Sequence, residues 1–141
     1  MAGFLIEPIQ GKGVAVAPPG FLAAAQALLR EHKALLIVDE VQCGMGRTGH
    51  PFAAQAYGVT PDLLTTAKGM AGGFPAGAVL VSDAVGAGIA KGDLGSTFGG
   101  GPMACALIEA VIDAIESDGL LARVRTLSKL IRETCQVGPV R

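Results

Sequence analysis

The chain has 141 residues, half of them apolar and only 16% charged, with eleven basic against twelve acidic side chains for a formal net charge of −1. That is core material for one domain, which excludes a disordered tail, and the lack of a basic stripe or any Trp excludes a nucleic-acid binder. No run approaches the roughly 20 apolar residues of a membrane span, no charged leader precedes Lys12, and Cys43, Cys105 and Cys135 form no C-x-x-C pair, so a soluble, reduced, cytoplasmic chain without disulfide or metal is expected.

Phe4-Leu5-Ile6 reads as a short strand that ends at Glu7-Pro8 and a Gly-rich turn. Phe21, Leu22, Ala25, Leu28 and Leu29 recur at helical spacing, which predicts a helix from about Phe21 to His32, announced by Pro18, Pro19 and Gly20. Ala34 to Val38 is a continuous apolar run and predicts a strand buried on both faces. Leu63–Ala67 and Ala76–Val81 are two further predicted strands, and Ala84–Lys91 a short helix. Pro102–Glu116 is a long predicted helix, its Pro at the first turn where the missing N–H is harmless. Beyond Gly119, Leu120–Cys135 forms an amphipathic helix with Arg123, Arg125, Lys129 and Arg132 on its wet side. Strands alternating with helices point to an α/β fold with a mostly parallel sheet covered by helices.

Ligands of such sheets bind beyond the carboxyl ends of the strands. There the sequence has Asp39-Glu40-Val41-Gln42 after one strand and Lys68-Gly69 after another. A lysine leaving a buried strand loses hydration, which favours the neutral, nucleophilic amine. Alone, Lys68 reads as a snorkelling side chain and Asp39 as a cap or half an ion pair; together they make an amine and an acid at equivalent strand ends. The Ser96-Thr97 pair in Gly-rich backbone before Pro102 reads either as an anion site or as a helix cap. Gly44-x-Gly46-x-x-Gly49 also matches a dinucleotide fingerprint, with Asp62 downstream, and gives an NAD-dependent dehydrogenase as an alternative. Against it, Asp39 to Cys43 intervene after the strand, and Pro51 interrupts the stretch where the helix would open. His32 and His50 have no ligand or triad spacing, and Cys43 reads as a small packing residue.

Glu7-Pro8-Ile9-Gln10-Gly11, Leu36 to Gln42, Gly44-Met45-Gly46-Arg47-Thr48-Gly49, Tyr57 to Asp62, Thr65-Thr66-Ala67-Lys68-Gly69 and Gly95 to Gly100 resemble, in order and spacing, the class-III aminotransferases, above all those acting on acetylornithine and ornithine. The resemblance implies part of the large domain of a fold-type I pyridoxal 5'-phosphate enzyme over residues 1–117 and the beginning of the small C-terminal domain over 118–141. It implies transfer of an amino group from acetylornithine, ornithine or a similar ω-amino donor to 2-oxoglutarate. Lys68 would form the Schiff base with the cofactor and Asp39 would hold its pyridine nitrogen protonated. Val41 would pack on the ring, Gln42 would bond its phenolic oxygen, and Glu40 lies in the same cofactor-binding turn. Thr97 would bind the phosphate for the neighbouring subunit of a homodimer, and Ser96 and Glu7 would face the substrate. Two positions depart from the family: Lys12 stands where an acid is usual and bears on the choice of donor, and Gly101 replaces an Asn in the phosphate turn. Family members are longer, so the resemblance also implies a preceding segment with a phosphate cup, a ring-stacking aromatic and an arginine. The expectation is a fragment, a piece of a split enzyme, or a non-catalytic remnant acting as an interaction subunit.

Overall fold

A computed structural model describes residues 2–97 and 99–135. In chain order these form β1 (Gly3–Ile6), α1 (Phe21–Glu31), β2 (Leu35–Asp39), α2 (Ala53–Ala56), β3 (Leu63–Thr66), a 3-10 turn (Lys68–Ala71), β4 (Ala78–Val81), α3 (Asp83–Gly86), α4 (Pro102–Ser117) and α5 (Leu120–Cys135). Phe98 and residues 136–141, and with them part of the Gly95–Gly100 motif and the end of the second expected domain, lie outside the described residues.

The sheet has the order β1-β2-β3-β4, with the first three strands parallel and β4 antiparallel to β3. Leu36 and Val38 of β2 meet Leu22 and Leu29 of α1, together with Ala34, Ala54 and Val59, in one buried cluster flanked by Phe4, Ile6, Ala17 and Tyr57. Burying each large side chain there contributes about 1.5–3 kcal/mol, and truncating Leu36 to Ala should cost about 2–5 kcal/mol. The amino ends of β2 and β3 are locked by Asp62, whose Oδ2 accepts from the Leu36 N–H at 2.8 Å while its own N–H donates to the Leu36 carbonyl at 2.9 Å. The carboxyl ends, carrying Asp39 and Lys68, are therefore held in register by the opposite ends of their own strands.

Several expectations need correction. β2 is fully buried on one face only; Leu35, Ile37 and Asp39 on the other are half-buried. β4 is exposed along its whole length and runs antiparallel. The link Ala67–Gly77 is the reason for its direction, because a parallel return needs a crossover of about a dozen residues or more, usually a helix. The helix expected over Ala84–Lys91 is one turn, Asp83–Gly86, since Gly86, Gly88 and Gly92 weaken any continuation. The one-turn α2 and the 3-10 turn at Lys68 escaped the periodicity, being too short to show it. Among the described residues no helix is long and apolar enough to cross a membrane.

Candidate active site

Asp39 closes β2 opposite Thr65 of β3. Its Oδ1 accepts from the Val41 N–H at 3.0 Å and from the Thr65 hydroxyl at 2.9 Å, a turn of the kind Asp favours at a strand end. Among the described residues no hydrogen bond reaches Oδ2. One oxygen thus fixes the carboxylate and the other is available.

Past β3 the backbone breaks sharply. Ala67 is extended (φ −165°) and Lys68 has φ 49°, in the left-handed region, where it opens the 3-10 turn. The lysine's place after a buried strand predicts a dehydrated amine, but its side chain is exposed, because the left-handed bend turns it out of the sheet's end. It lines a cavity of about 330 Å³. Val41, Gln42 and Arg47 line the same cavity, and Val111 and Ile115 of α4 with Leu121 and Val124 of α5 form its apolar wall. Asp39 opens instead onto an adjoining hollow of about 270 Å³, shared with Glu7 and Gln10. The structure thus groups Lys68 with Val41 and Gln42, and Asp39 with Glu7, on either side of one turn. Glu7 is itself tied down, accepting from the Gly11 N–H at 2.8 Å.

Glu40 does not face this cavity. It is 1% exposed, and its carboxylate accepts from the backbone N–H groups of Ala53 at 2.8 Å and Ala54 at 2.6 Å. Next to Asp39 in sequence, it points into the fold, contrary to its expected place among cofactor contacts. Ser96 and Thr97 are exposed in the loop between α3 and α4, and neither lines the Lys68 cavity. α4 opens at Gly101 without a side-chain cap, so neither hydroxyl serves as one.

Sequence reading passed over Arg47. Its Nη2 would lie 3.5 Å from a Cβ placed on Gly69, beside Lys68. Among the described residues Lys68 and Arg47 and no carboxylate line the cavity, so its field favours an anion. The available signal was that Arg47 is the one Lys or Arg between Asp39 and Lys68. Cys43 is buried; burial, then the neighbouring Glu40 charge and hydrogen bond, push its thiol up to about 12, leaving it unreactive. Tyr57 is also raised, by burial and then by Cys43. The dinucleotide alternative fails on geometry. Val41 to Gly49 is a chain of turns, and the next helix, α2, already has the Glu40 carboxylate on its first N–H groups, where a pyrophosphate would have to lie.

The class-III aminotransferase family matches residues 1–136. Acetylornithine aminotransferase 1 of Bradyrhizobium diazoefficiens is 49% identical over 133 residues, covering 94% of this chain and 33% of the relative. The acetylornithine aminotransferase of Streptomyces coelicolor is 50% identical over 130 residues, 91% of this chain and 32% of the relative. Among solved structures, acetylornithine aminotransferase from Elizabethkingia anophelis superposes with a TM-score of 0.90 at 42% identity, covering 96% of this chain and 36% of that one. Ornithine aminotransferase from Toxoplasma gondii gives 0.89 at 40% identity, covering 94% and 32%. The chain spans about a third of the length of the curated relatives it matches. It belongs to the class-III aminotransferases, a family of pyridoxal 5'-phosphate enzymes.

Proposed function

We propose that this chain supplies the amine and acid of a transaminase site that moves an amino group from acetylornithine, ornithine or a similar ω-amino donor to 2-oxoglutarate. The observation that carries this reading is the pair Asp39 and Lys68 at the carboxyl ends of neighbouring parallel strands. The residues fit pyridoxal phosphate: a lysine aimed into a cavity of suitable size, and a carboxylate oriented by two donors with Oδ2 unspent. When bound, that cofactor supplies an electron sink for the carbon that bears the amino group. Lys68 would hold it through Nζ, and the same atom would be the base that carries the substrate proton. Asp39, which opens onto the hollow it shares with Glu7 rather than the cavity Lys68 lines, would hold the ring nitrogen through Oδ2. Val41 would give an apolar ring contact, Gln42 a donor to the phenolic oxygen, and α4 and α5 an apolar wall to the cavity.

In this reading Thr97 serves the phosphate of a neighbouring subunit and Ser96 and Glu7 meet the substrate; the exposure of the Ser96–Thr97 loop supports a partner there. A homodimer is the proposed assembly, with the preceding segment of the family's chain as the other source of site residues. We place the boundary between residues 1–117 and 118–141 at the α4–α5 junction, where Gly119 turns the chain (φ 62°). Three free cysteines support a cytoplasmic location.

Absorbance titration with pyridoxal phosphate, followed by borohydride reduction and peptide mass mapping, tests the proposal. The expected result is a visible band, absent in Lys68→Ala, and a reduced adduct confined to the Lys68 peptide. No band, or adducts spread over surface lysines, would overturn it and leave a non-catalytic interaction subunit, which the exposed apolar β4 already favours as the second reading.

A further inference from the structure

We infer that Glu40 is a positioning residue whose buried carboxylate clamps the turn that aims Asp39, an inference that rests on the site proposed above.

Five hydrogen bonds converge on Glu40. Its N–H donates to the Thr65 carbonyl at 2.9 Å, its carbonyl accepts from the Gly44 N–H at 2.9 Å, and its carboxylate accepts from Ala53 and Ala54 and, at 3.3 Å, from the Cys43 thiol. One residue therefore joins the end of β3, the turn after β2 and the start of α2. Burying a carboxylate is costly unless it is fully hydrogen-bonded, and a one-turn helix does not need such a group. A Ser, Thr, Asp or Asn at its own N-cap would do, yet Phe52 stands there and provides no side-chain cap. The cap comes instead from a residue thirteen positions upstream, adjacent to Asp39. What the long-range bond adds over a local one is geometry. It closes a loop from Glu40 to Ala53 that contains Val41, whose N–H holds Asp39 Oδ1, and Gln42 and Arg47, which line the Lys68 cavity.

Glu40→Gln tests this. The carboxamide keeps shape but opposes an NH₂ to one of the two peptide N–H groups. In the cofactor-free chain, amide exchange followed by NMR should quicken about tenfold at Val41 as well as at Ala53 and Ala54. Pyridoxal phosphate affinity should fall by a similar factor while the adduct stays on Lys68. A milder variant, Cys43→Ala, removes one of the three donors to the carboxylate and inserts no atom at the clamp. It should give a smaller change of the same sign at Val41 and decides the matter if Glu40→Gln does not fold. Faster exchange at Ala53 and Ala54 with Val41 and cofactor affinity unmoved would overturn the inference and make Glu40 a helix cap alone. Faster exchange at Val41 in a chain that takes up no cofactor would uphold the clamp and sink the cofactor reading instead.

Discussion

Asp39 and Glu40 are neighbours with the same chemistry and opposite surroundings. Among the described residues Asp39 has hydrogen bonds to one oxygen only, at a half-buried strand end, whereas Glu40 has both oxygens bound inside. Asp39→Asn should leave the fold intact, because an amide oxygen can still accept from Val41 and Thr65. It should weaken pyridoxal phosphate binding about tenfold or more, since an NH₂ then confronts the ring N–H; an absorbance titration beside a thermal melt separates the two effects. Cys43 supplies a pH dependence. Its thiol is held protonated in the fold up to about pH 12 against an ordinary value of 9.0. Between those values the unfolded chain has released the proton and the native chain has not. Stability should therefore be full below about pH 9 and decline from there toward pH 12. Urea midpoints at successive pH values check this, and Cys43→Ala should flatten the decline. The candidate amine and acid were legible from sequence because strand ends are. Glu40's inward turn was not, because its partners lie on a helix too short to leave a periodic trace.

At the scale of elements, two glycines of the loops flanking the site give opposite expectations. A Cβ on Gly44 would sit 2.7 Å from the Glu40 carbonyl oxygen and 3.2 Å from the Phe52 ring, and the backbone there cannot yield. Gly44→Ala should destabilise by about 1–3 kcal/mol in urea denaturation. A Cβ on Gly11 would collide with Cγ of Gln42, an exposed side chain that must swing away as a whole while no backbone need move. Gly11→Ala should change stability little and instead displace Gln42 from the Lys68 cavity, weakening cofactor binding at unchanged melting temperature. β1, β2, β3, α1, α4 and α5 could be read from the chain, since apolar periodicity over eleven to sixteen residues or a dense apolar run defines each of them. The direction of β4 depends on how short its link is. The length of α3 depends on glycines that an apolar count overlooks.

The molecule as a whole is unevenly covered. α1 and α2 bury one side of the sheet, while Val79, Leu80 and Val81 of β4 are 58%, 47% and 41% exposed, and α5 leaves Leu127, Leu130 and Ile131 in the open. Apolar area of that extent favours association. The isolated chain should therefore self-associate, its mean mass in sedimentation rising above 14.2 kDa with concentration. A monomer at every concentration with a sharp, reversible melt would contradict this.

Lys68 carries a consequence of its own. Its left-handed backbone costs a side-chain-bearing residue about 1–2 kcal/mol. Lys33, the other lysine so placed, comes just after the end of a helix, where that conformation is a common terminator. Lys68 comes after a strand and has no such excuse. Glycine there should make the chain about 1 kcal/mol more stable and chemically inert. Lys68→Gly thus separates folding from chemistry: in urea denaturation the variant should be at least as stable as this chain, while whatever depends on the amine is lost.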